Sequence, residues 1–182
     1  MNLIPAFLTI LLAQADSASP AAVELVRIFS GHSAPVYDVS ISPDARLLAT
    51  ASSAGALKIW NVGDGAERAV LSGHKGKVMS VTFSPDGHFL LSGGEDGTVK
   101  LWDVPRGHAE VLAAQDAPVE AFVLHPASAR LVTGTSDGAI LTWEPSGGRK
   151  GLVLEPRAGG LRALAVGPTG NLVASAGDDR TV

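Results

Sequence analysis

The chain has 182 residues, 46% hydrophobic and 18% charged, with 21 glycines and 11 prolines, the make-up of a globular, turn-rich fold rather than a disordered or coiled-coil one. A net charge of −4 and a pI of about 5.7 leave no basic field to draw in nucleic acid or anionic lipid. With no cysteine, these residues hold no disulfide, thiolate metal site, cysteine nucleophile or Cys-x-x-Cys-His haem attachment.

Met1 to Ala15 carries no charged side chain, and Leu3 to Ala13 is an apolar run of 11 residues. A spanning helix needs about 20 apolar residues, so the run is too short to cross a membrane. Ala13-Gln14-Ala15 places small residues where a signal peptidase reads them, although Met1-Asn2 supplies no Lys or Arg. The expectation is a signal peptide over 1–15 with cleavage before Asp16, and hence a periplasmic or secreted protein; the alternative is a disordered or mis-started leader on a cytoplasmic protein. Residues 16–22 are a short polar linker.

From Val23 the chain repeats. Aligning His32, His74, Gln115 and Arg157 gives steps of 42, 41 and 42 residues, and the first three are each followed 28 residues later by Trp60, Trp102 and Trp143. Within each unit, short alternating apolar and polar runs are separated by turns: Ser42-Pro43-Asp44-Ala45, Ser84-Pro85-Asp86-Gly87, His125-Pro126-Ala127-Ser128 and Gly167-Pro168-Thr169-Gly170. Proline fixes φ at the first corner of such a turn, and Asp or Gly completes it. Alternation bounded by turns is the pattern of half-buried antiparallel strands, and a period near 40 that of a four-stranded propeller blade.

The stretch from Gly73 to Asp103 opens on Gly-His, turns at Pro-Asp-Gly and Glu-Asp-Gly, and closes on Trp-Asp. It resembles one WD40 repeat, and the likeness extends over most of the chain. The resemblance implies an all-β fold of WD40-type propeller blades, each a four-stranded antiparallel sheet, over residues 23–182, with blades at 33–72, 75–113, 116–155 and, in part, 158–182. Residues Val23 to His32 match the outermost strand of the next unit, and in the family a leading strand completes the last blade. In register with Trp102, a fourth tryptophan would fall three residues past Val182. The expectation is therefore a truncated, open arc.

The resemblance also implies a hydrogen-bonded set in each blade, made of a His, a Ser or Thr, an Asp and the Trp. His74, Ser92, Asp96 and Trp102 are complete. The third blade keeps Thr133, Asp137 and Trp143 with Gln115 for histidine; the first keeps His32, Thr50 and Trp60 with Ala54 for the carboxylate; the fourth keeps Ser175 and Asp179 with Arg157 in the histidine place. On this register Ala54→Asp is expected to raise the melting temperature. A His, Ser and Asp together also suggest a hydrolase triad, yet no Gly-x-Ser-x-Gly elbow is present, and a set repeating at fixed spacing suits a blade rather than one active site. His88, His108 and His125 lack neighbours at metal-ligand spacing and are read as solvated turn residues. No glycine motif for cradling phosphate occurs, because Gly93-Gly94 and Gly147-Gly148 precede no Gly-Lys-Ser. The expectation is no catalytic residue, no metal and no cofactor.

What the family offers is a rigid disc whose loops bind partners. By that likeness the surface candidates are Tyr37, Met79 and Arg162, then Lys77, Glu95 and Glu120, with Lys75 and Asp178 beside them; aromatic, Met and Arg side chains make good anchors. The reading is a non-catalytic scaffold for other proteins or peptides, with no nucleic acid, membrane span or small-molecule substrate, forming the N-terminal part of an exported propeller in a larger protein. Its alternative is the propeller domain of an enzyme or c-type cytochrome fusion whose working part lies beyond residue 182.

Overall fold

The structure, a computed structural model, describes residues 6–12, 24–104, 106, 108–125, 130–143, 150–154 and 159–182. Among them there is no helix, and the strands form five antiparallel sheets. After β1 (Ala6–Leu12) and β2 (Glu24–His32) come three complete four-stranded blades. The first blade is β3 (Val36–Ile41), β4 (Leu47–Ser52), β5 (Ala56–Asn61) and β6 (Glu67–Ser72). The second is β7 (Val78–Phe83), β8 (Phe89–Gly94), β9 (Thr98–Asp103) and β10 (His108–Ala114). The third is β11 (Val119–Leu124), β12 (Leu131–Thr135), β13 (Ile140–Trp143) and β14 (Lys150–Leu154). Two strands follow, β15 (Leu161–Val166) and β16 (Val173–Gly177). In every complete blade each strand pairs with its sequence neighbour, so the blades are plain meanders.

Local chemistry sets the turns. Ser42 Oγ donates to Asp44, Arg46 N–H returns to the same carboxylate, and Ala45 N–H closes on Ser42 O at 2.8 Å. The second blade repeats the arrangement with Ser84, Asp86 and His88. Its corner carries Gly87 at φ 73, where the first blade forces Ala45 to φ 57. A Cβ disfavours that left-handed region.

The core lies between sheets rather than within any one of them. Ala49, Ala51, Leu57 and Ile59 of the first blade meet Val78, Val81, Phe83, Leu90 and Trp102 of the second. Leu91 and Val99 of the second meet Val119, Phe122, Leu141 and Trp143 of the third. Val132 and Ile140 of the third meet Leu161, with Leu164 and Val173 against them. Each blade thus buries one face on the sheet before it and the other on the sheet after it, which is why a lone blade is not a stable unit. The sheets follow one another in an open arc. Its first inter-blade seam is also polar: Asp38 accepts from Ser80 Oγ and Val81 N–H at 3.1 and 2.8 Å, and Ser40 Oγ accepts from Phe83 N–H at 3.1 Å.

Candidate functional site

The polar set of the second blade is assembled by two of its strands, β8 and β9, the turn between them and the loop before β7. Trp102 on β9 donates its indole N–H to Ser92 Oγ on β8 at 2.8 Å, and His74 Nε2 lies 2.7 Å from the same hydroxyl. His74 Nδ1 sits 3.0 Å from Asp96, which also accepts from Lys75 N–H at 2.9 Å and Thr98 Oγ1 at 2.7 Å. One assignment satisfies every donor: the imidazole is neutral, Nδ1–H donates to Asp96, and Nε2 accepts from Ser92. The surroundings agree. Burial lowers the His74 pKa more than Asp96 raises it. Burial alone would lift the Asp96 carboxyl, but the hydrogen bonds from Lys75, Thr98 and His74 outweigh it and bring the pKa to about 2.

Room for this arrangement comes from Gly94, where a Cβ would lie 2.5 Å from His74 Nδ1 and 3.0 Å from Asp96. The third blade has Thr135 at that position, and the set changes with it. Trp143 still donates to Thr133 Oγ1 at 2.9 Å, and Thr133 donates to Gln115 Oε1 at 3.2 Å. Asp137, expected to complete the set, instead takes the Thr135 hydroxyl and Ala139 N–H, leaving Gln115 Nε2 buried without a partner. The first blade is intermediate. His32 Nε2 and Trp60 Nε1 converge on Thr50 Oγ1 at 2.6 and 2.9 Å, Ser52 holds the Gly94 position, and Ala54 offers no carboxylate. Burial, then the nearby Lys58 ammonium, lowers the His32 pKa. In the fourth unit Asp179 accepts from Thr181 N–H, Ser175 lies on β16, and Arg157 falls outside the described residues.

Ser92, Thr50 and Thr133 are fully buried, and each hydroxyl is bound by a tryptophan. A cavity of about 470 Å³ does open between the first two blades, but Leu47, Ile59, Arg68, Val104 and Arg106 line it, not the polar sets. One reading is corrected. His125 is not a solvated turn residue: it is half-buried and its Nε2 lies 2.9 Å from Gly170 O, a bond between the third blade and β15–β16. The sequence reading also passed over Asp38 and Ser40, whose roles lie wholly between sheets and leave no trace in the spacing.

The surface candidates fall on equivalent positions. Tyr37, Met79, Glu120 and Arg162 are each the second residue of the first strand of their unit. Tyr37 is exposed and Met79 half-buried. Lys77 pairs with Glu95 at 3.2 Å. Arg162 grips Asp178 through Nε and Nη2, both at 2.9 Å, and reaches across to Glu120 at 3.5 Å. Both cations are held above their ordinary pKa, each first by the hydrogen bond to its carboxylate partner. The row is therefore a mixed rim with paired charges, one aromatic ring and one thioether.

The model of the WD domain, G-beta repeat, matches residues 23–61, 65–103 and 151–182, more than half of the chain. The chain belongs to the WD40 repeat family. No curated protein matches it. WD40 repeats mediate protein–protein interaction and are typically non-catalytic scaffolds. The family match passes over residues 104–150, where the structure nonetheless places β10 and the first three strands of the third blade.

Proposed function

We propose that this WD40 chain is a docking scaffold whose partner, a protein or peptide, sits on the rim formed by Tyr37, Met79, Glu120 and Arg162, flanked by Lys77 and Glu95. The observation that carries the reading is the equivalence of these four positions on successive first strands. Four different side chains on one rigid row let a partner be read at several points. Arg162 is already held by two carboxylates, so it loses little freedom on binding. To test this, p-benzoylphenylalanine placed at Tyr37 should cross-link a partner in cells. Arg162→Glu should reduce that yield at least tenfold without moving the melting temperature, and an unchanged yield would reject the surface.

Export is the finer part of the reading, supported by the charge-free leader and the Ala13-Gln14-Ala15 site. One observation favours the other view, that the leader stays: Ala6–Leu12 pairs along β2. The intact mass of the protein recovered from cells separates the two, since cleavage would leave a chain beginning at Asp16.

A further inference from the structure

The seam between the first two blades opens into the cavity of about 470 Å³, a size that falls within the roughly 300–1,000 Å³ of ligand pockets. Its apolar lining comes from Leu47, Ile59 and Ala69 of the first blade and from Val104 just after β9. Arg68 on β6 and Arg106 in the turn before β10 complete it, and among the described residues no carboxylate does. The acids next to it in the chain are engaged. Asp86 accepts from Ser84 Oγ and His88 N–H inside its own turn, and Asp103 takes a single nitrogen of the Arg106 guanidinium, Nη1. Arg68 has no ion pair or hydrogen bond among the described residues.

Strand register identifies the matching place one seam on. Phe89 stands where Leu47 does, each paired with the last residue of the third strand, and Leu101 stands where Ile59 does. Ile59 pairs with Ala69, whereas Leu101 pairs with Glu110. The hollow there is about 240 Å³ against about 470 Å³, and among the described residues its polar lining is Asp103, His108 and Glu110. Equivalent positions are thus wide and cationic in the first seam, narrow and acid-bearing in the second. The shared backbone repeat cannot cause that difference. It lies in the side chains, and it gives the first seam a ligand preference of its own.

We propose that this seam receives an extended segment of a partner protein in which a carboxylate side chain stands between bulky apolar ones. One apolar side chain enters the cavity over Leu47, Ile59 and Ala69. The carboxylate meets Arg68 and the nitrogens of Arg106 that Asp103 leaves open, donors whose planar fork matches a carboxylate. Arg106 also lines a second hollow, of about 410 Å³, with His88 and Phe89, and the Phe89 ring is 36% exposed. The two hollows meet at Arg106, so the order they select is apolar, acidic, apolar, which an extended chain supplies and a small carboxylate does not. Leu47 opens β4 and Gly87 lies in the turn before β8, so the groove is at the opposite end of the strands from Tyr37 and Met79. It is therefore separate from the rim proposed above, and both surfaces can be occupied together.

A phage-displayed library of random linear peptides, selected on the immobilised chain, tests this. Enriched sequences should carry Asp or Glu flanked by Leu, Ile, Phe or Trp. Affinity of an enriched peptide, read by fluorescence anisotropy, should fall about tenfold with Arg68→Glu and about tenfold with Arg106→Glu. It should fall likewise when the acidic residue of the peptide becomes its amide. Both arginines are exposed, so melting temperatures should hold; Arg68→Gln and Arg106→Gln replace any variant that fails to fold. The peptide should leave cross-linking at Tyr37 unchanged. Four results would each overturn the proposal: enrichment without a carboxylate, affinity indifferent to both arginines in folded variants, a peptide that blocks cross-linking at Tyr37 and so lies on the rim, or sodium octanoate binding as tightly as the peptide, which would make the seam a site for small carboxylates.

Discussion

The second and third blades share strand order, register and a tryptophan seated on a buried hydroxyl, but one interior is fully paired and the other is not. His74, Ser92, Asp96 and Trp102 leave no polar atom over, whereas Gln115 Nε2 in the third blade is stranded and Asp137 faces its own turn. The sheet forms all the same, because Leu131, Leu141 and Trp143 are packed against the second blade as tightly as Leu90 and Trp102 against the first. A buried polar orphan costs roughly 1–3 kcal/mol, while each large apolar side chain buried contributes about 1.5–3 kcal/mol. Inter-sheet packing carries the fold, and the polar set stiffens it.

The largest effect should come from the hydroxyl at the centre of each set. Ser92→Ala strands both His74 Nε2 and the Trp102 indole, so a loss of about 2–4 kcal/mol is expected. Thr133→Ala abandons an already incomplete set and should cost about half as much in the same urea titration. Equal losses would break the distinction drawn between the two blades.

Acid should also act on the second blade first. His74 has a lowered pKa, so its contribution is whole above the unfolded value of 6.5 and declines as pH falls below it, when the unfolded chain takes up the proton more readily. Asp96, also lowered, contributes fully above its unfolded 3.8 and loses that contribution as pH falls towards about 2. After screening by solvent this second part amounts to about 1 kcal/mol. Hydrogen exchange measured from pH 7 to pH 3 should show β8 and β9 losing protection before β12 and β13.

Converting one blade into the other is a finer test. Gln115→His alone should gain little, because Thr135 keeps Asp137 and occupies the place of Gly94. Gln115→His with Thr135→Gly should gain about 1 kcal/mol in thermal unfolding. By the same logic Ser52 will hold back the benefit of Ala54→Asp in the first blade unless it too becomes glycine. The smallest effect belongs to a turn: Ala45→Gly relieves a φ of 57 and should add about 0.5–1 kcal/mol.

Much of this was legible in the residues. Three tryptophans 28 residues after His32, His74 and Gln115 gave the period, and the family likeness named the partners that the structure brings together around Thr50, Ser92 and Thr133. Asp137 escaped because its spacing matches Asp96, while its bonding depends on a neighbour, Thr135 against Gly94, that lies outside the repeating signature. His125 escaped for a similar reason: its partner Gly170 is 45 residues away in the next unit. Ala6–Leu12 read as an uninterrupted apolar run, which says nothing of a strand pairing.

By itself the sequence determined the strand periodicity, the turn chemistry and the length of the unit, since these rest on alternation, proline and glycine acting over a few residues. Only the tertiary structure decided which polar groups meet and how Asp38 and His125 tie one sheet to the next. Those depend on chains crossing from one sheet to another, where a Cβ more or less at position 94 or 135 redirects a carboxylate without disturbing the repeat.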